Sequence, residues 1–159
     1  MNRSRQHGFA AIAAIVLLVV VAGISAAMLR LTSVQQDTVN QAVLGARASQ
    51  AARAGVEWMI YRIANDGGAT ACPAGQTLSD FLADTGFRVT VTCTARTPFN
   101  EGEAAPGVPV VKHIYQVDAV ACNGAASSCP DNGSVQAPDY AERRRTATVC
   151  MTSDSRDCY

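Results

Sequence analysis

The chain has 159 residues and no formal net charge; 48% of its residues are apolar, 16% are charged, and six are cysteines. That composition excludes a disordered tail, and the length suits one modest domain. Beyond residue 65, seven basic residues stand against eleven acidic ones and Lys112 is the sole lysine, which argues against nucleic-acid binding, since that needs a basic face.

The first element is the run FAAIAAIVLLVVVAGISAAML, residues 9 to 29, which holds no charge. As a helix it rises roughly 31 Å, matching the ~30 Å hydrocarbon core of a bilayer. Arg3 and Arg5 precede it, so the positive-inside rule keeps the amino terminus cytoplasmic and sends the rest of the chain outside. A cleavable secretory signal competes with this reading, with Ser25-Ala26-Ala27 as a small-residue cleavage site before Met28. The apolar region of such a signal is shorter, about 7 to 15 residues. From Leu31 the stretch LTSVQQDTVNQAVLGARASQAARAGVEWMIYRIAN has no proline, so the helix is expected to continue. Val56, Met59, Ile60 and Ile63 share one helical face while Arg53, Glu57 and Arg62 lie off it. Asn65-Asp66-Gly67-Gly68 supplies the stop. The expectation is one helix of about 55 residues, its first half apolar all round and its second half covering a sheet.

These residues resemble the type IV pilin superfamily. The features that carry the resemblance are a basic leader ending in Gly8, Phe9 as first mature residue, an apolar stretch and an amphipathic continuation. Within the superfamily, Ser33-Val34-Gln35-Gln36 and the run from Gly45 to Trp58 are most similar to the MSHA pilus biogenesis proteins. The resemblance covers about the first 65 residues. It implies cleavage by prepilin peptidase between Gly8 and Phe9, N-methylation of Phe9, and a long helix packed on an antiparallel sheet. The implied partners are other pilin and minor pilin subunits, the inner-membrane assembly machinery and membrane lipid. One departure is specific: the fifth mature position, a glutamate in most pilins, is Ala13. That carboxylate is thought to neutralise a neighbouring subunit's amino terminus, an interaction that matters because an unpaired charge in hydrocarbon costs several kcal/mol. Its loss is tolerated in minor subunits at the start or tip of a filament, so the resemblance implies a low-copy component.

The middle of the long helix is small: Gly45, Ala46, Ala48, Ala51, Ala52, Ala54 and Gly55. One reading is a contact surface for a neighbouring helix, in which case a bulky residue at Ala52 impairs assembly and leaves the monomer folded. The other is an alanine-rich helix with no partner; unfolding of an Ala52 variant would instead assign the surface to the monomer's own core.

Past Gly68 the pattern changes to short strands. Thr77-Leu78-Ser79-Asp80 has the form of a capping box before Phe81-Leu82 and Gly86, giving one or two helical turns. FRVTVTC, residues 87 to 93, alternates with period two and places Phe87, Val89, Val91 and Cys93 on one face. TPFNEGEAAPGVP reads as a loop, followed by strands at 110 to 122 and 145 to 152. Three strands in meander order under the amphipathic half-helix make an α+β head.

All six cysteines, Cys72, Cys93, Cys122, Cys129, Cys150 and Cys158, follow the long helix and so fall on the oxidising side of the membrane. Fifteen pairings are open; pairing 72 with 93, 122 with 129 and 150 with 158 closes only short loops and leaves no thiol over. The spacings do not fit common zinc sites. No catalytic motif is present and no cofactor is expected. His113 reads as a strand-edge residue, Arg143-Arg144-Arg145 as a solvated strand end, and Pro130-Asp131-Asn132-Gly133 as a turn.

The expected organisation is a leader at 1–8, a membrane or filament-core half-helix at 9–29, an amphipathic half at 30–66, and a periplasmic or extracellular head at 67–159. The function expected is non-enzymatic: a minor pilin-like subunit that primes or enters an MSHA-type pilus and supports surface adhesion. The alternatives are a secreted, disulfide-rich binding module and an uncleaved bitopic anchor.

Overall fold

The computed structural model describes residues 6–65, 72–152 and 158, and the chain divides into two compact units, Met1–Ala42 and Val43–Tyr159. Helix α1, Gln6–Asn65, supplies everything described of the first unit and continues into the second. It already runs at Gln6, inside the expected leader, because no proline interrupts Gln6-His7-Gly8. Arg3, Arg5 and the stop at Asp66-Gly67-Gly68 lie outside the described residues.

In the second unit, the helical face of Val56, Met59 and Ile63 is buried as its spacing predicts, with Ile60 packed at its margin. Arg53 and Glu57 stay in solvent, joined by a 3.0 Å ion pair, and the Arg62 guanidinium lies 5.2 Å from the Trp58 ring. The buried face extends back through Ala52, Ala51 and Ala48. Ala48, Ala51 and Ala52 therefore serve the monomer's own core, which corrects the expectation of a surface for a neighbouring helix at Ala52, whereas Ala46 stays exposed. Gly55 shows why they must be small: a Cβ there would sit 2.6 Å from Val89 Cγ1 and 3.1 Å from Val91 Cγ2.

The sheet beneath is antiparallel and has five strands. They are β1 (Gln76–Leu78), β2 (Arg88–Ala95), β3 (Phe99–Ala105), β4 (Val108–Cys122) and β5 (Glu142–Thr152). Strand β4 is central: β2 pairs with it from Arg88 opposite Cys122 to Ala95 opposite Tyr115, and β5 pairs along its other edge. The meander β2–β4–β5 is the expected one. Phe87, Val89 and Val91, alternating as expected, meet Tyr115, Val117 and Ala119 in the core. Each large apolar side chain buried this way contributes about 1.5–3 kcal/mol.

Two elements differ from expectation. Thr77 and Leu78 form β1 against Thr90 and Val89, so no capping box forms; the short helix α2, Phe81–Thr85, has Asp80 at its N-cap with no side-chain cap bond and ends at left-handed Gly86. Leu78 has a buried site on the sheet, and this burial outweighs one capping bond. The supposed loop 97–109 is mostly strand β3, which continues β2 along the same edge of β4 after the Arg96 N–H to Ile114 O link of 2.8 Å. All seven residues of β3 are exposed, so the segment carries no apolar alternation.

Three disulfides close the expected loops: Cys72–Cys93, Cys122–Cys129 and Cys150–Cys158, with Cα separations of 5.5, 5.8 and 5.4 Å.

Candidate functional site

The residues with the plainest physical demand for a partner are those of α1 from Ala10 to Leu31, every one of them exposed. Leu17, Leu18, Val19 and Leu29 leave between 64% and 73% of their surface uncovered, a load of apolar area that water does not tolerate on a soluble chain. The backbone there has no unmet need, because a helix satisfies its own amides. The one hydroxyl in the run does the same: Ser25 Oγ donates to Val21 O at 2.8 Å. Gly23 has nothing within 4 Å of where a Cβ would be. Among the described residues this is the one helix long and apolar enough to cross a membrane.

Gly8 and Phe9 fall within α1; their side chains lie outside the described residues. Ala13 sits in the exposed apolar run, and the first turn of α1 holds no acidic residue. Downstream the surface turns polar but carries little charge, with Gln35, Gln36, Val39 and Asn40 exposed.

The head gathers its polar groups into structural work. Arg143, Arg144 and Arg145 directly follow Glu142, the first residue of β5, and all three are exposed, as expected of a solvated strand end. The Arg143 guanidinium occupies the space a side chain at position 45 would need. Arg145 donates to Ser49 Oγ at 2.6 Å, and Arg144 forms a 2.9 Å ion pair with Asp118. Hydrogen bonds from Arg144 and then Thr146 hold the Asp118 carboxyl below its ordinary range. His113, by contrast, is not at a strand edge: it is buried within β4, opposite Met151, its ring stacked at 6.5 Å from that of Tyr115. Burial pushes the Tyr115 hydroxyl up. Lys112, on the opposite face of β4, is also buried and pairs with Glu101 of β3. The sequence carried no signal for this, since the partner comes from the segment read as a loop.

Asp131, in the turn after Cys129, is the hub of the long β4–β5 connection. Its carboxylate accepts from Ala126 N at 3.0 Å, Ser134 Oγ at 2.7 Å and Gly133 N at 3.0 Å. The Ala126 amide and the Ser134 hydroxyl in particular hold it below the usual carboxylate range. Tyr140 accepts from Asp131 N at 3.4 Å and donates to Glu142; burial, with the Glu142 carboxylate next, pushes its pKa up to about 12. Arg88 donates to the carbonyls of Gly124 and Ala126, and Cys129 N to Thr90 Oγ1 at 2.8 Å. The carboxylate is therefore occupied by the loop's own donors. Among the described residues no three His, Cys, Asp or Glu side chains gather as a metal site, and all six cysteines are in disulfides.

The candidate site is accordingly the exposed apolar half of α1. No protein-family model, curated protein or solved structure matches the chain.

Proposed function

We propose that the chain is a minor pilin-like subunit of a type IV pilus of the MSHA kind. The observation that carries this reading is a single helix, α1, that is apolar and exposed through Leu31 and then roofs a disulfide-tied antiparallel sheet. Before assembly the apolar half would sit in the inner membrane, with the head on the periplasmic side. On extraction from lipid the same surface would become filament core, so one apolar stripe would serve both states. Prepilin peptidase, acting between Gly8 and Phe9, and the inner-membrane assembly machinery are the partners this route requires, together with other pilin and minor pilin subunits. Methylated Phe9 would be the mature terminus.

Ala13 supports a position for the subunit at the start or tip of the filament. A subunit without a carboxylate at this position has nothing to pair with the buried amino terminus of a neighbour. Immunogold labelling of sheared filaments is expected to mark one end, with few copies per filament. Even labelling along the shaft would contradict that position.

A further inference from the structure

Two Asn-Gly steps stand in the β4–β5 connection, Asn123-Gly124 and Asn132-Gly133. In such a step the glycine nitrogen can attack the asparagine side-chain carbonyl carbon, since no Cβ hinders the approach. The new C–N bond closes a five-membered imide and ammonia leaves; water then opens the ring at either carbonyl, giving aspartate or isoaspartate. The sequence ranks the two steps equally.

The structure separates them. Asn123 is pinned at both ends of its amide: Nδ2 donates to Asp139 O at 2.8 Å, and Oδ1 accepts from Ala141 N at 2.8 Å. Ring closure there would break both bonds and turn a half-buried side chain. Asn132 is exposed in a turn. The nitrogen that must attack, Gly133 N, already directs its proton at the Asp131 carboxylate, 3.0 Å away. We propose that Asn132 is a self-modifying site, converted to aspartate and isoaspartate with water as the only co-reactant. Isoaspartate would add a methylene to the main chain between Asp131 and Gly133. That displaces Gly133 N and Ser134 Oγ from the Asp131 carboxylate and loosens the connection it organises. The inference stands apart from the pilus reading.

The test is incubation of the full chain in detergent micelles, in heavy-oxygen water at mildly alkaline pH, followed by peptide mapping and isoaspartyl methyltransferase labelling. The expected result is heavy oxygen and methyl label at position 132, with Asn123 intact until the chain is reduced and unfolded, when both positions convert. Gly133→Ala should lose most of the conversion at 132 and leave the native circular dichroism in place. An unmodified Asn132 in native chains whose unfolded counterparts convert would overturn the proposal. So would native Asn123 converting as fast as Asn132.

Discussion

Replacing Gly55 with leucine is expected to remove the cooperative melt of the head. A Cβ at 55 would meet Val89 Cγ1 at 2.6 Å, Val91 Cγ2 at 3.1 Å and the Ala119 Cβ at 3.3 Å, and the remaining leucine carbons have no space beyond them. Val89, Val91 and Ala119 are fully buried, two on β2 and one on β4, so none can move without displacing the sheet. Overpacking by a methylene or two costs about 1–3 kcal/mol. A whole leucine here should exceed ~4 kcal/mol, much of the ~5–15 kcal/mol that stabilises an ordinary domain. Gly55→Ala is informative too: it gains ~1 kcal/mol in helix propensity and is still expected to lose stability, because the contact costs more. Gly23→Ala, with open space around it, should leave the melt unchanged. Near-ultraviolet circular dichroism on heating reads this through Trp58, which packs against the core. A Gly55→Leu chain that melts like the parent would mean that α1 does not seat on the sheet.

The second large effect is expected from Cys72→Ser combined with Cys93→Ser. This bridge spans 21 residues of sequence and ties the chain leaving α1 to β2, with both cysteines packed against the core. Closing a loop of that size stabilises by roughly 3 kcal/mol in the chain-entropy model. A head built on one thin sheet has little surplus to absorb the loss. The denaturant midpoint should fall well below that of the parent. Removing Cys150–Cys158, with a separation of 8, should cost less, about 2.5 kcal/mol by the same model, and leave the core spectrum native. Equal midpoints for parent and the 72/93 variant would show that the bridge constrains nothing the fold does not already fix.

What could be read in the sequence follows from whether its cause is local. The alternation at Phe87, Val89 and Val91 and the helical spacing of Val56, Met59 and Ile63 are local patterns, and both faces are buried where expected. The disulfides were legible because each closes a short loop. Strand β3 was not: exposed throughout, it has no buried face to impose a period, and its pairing depends on β4. The reason for Gly55 was not legible, because it lies on strands more than thirty residues away. The Arg145 bond to Ser49 spans 96 residues, so the exposure of the three arginines was legible and the reach of Arg145 to α1 was not. The apolar half of α1 was legible in full, since a run without charge needs no tertiary information to be recognised.

The most direct test of the account is the mass of the mature amino terminus, measured on protein from native membranes and from sheared surface filaments. The account predicts a chain that begins at Phe9, carries an N-methyl group and is present in both fractions. A chain beginning at Met28, or one retaining Met1 or Asn2, would contradict it.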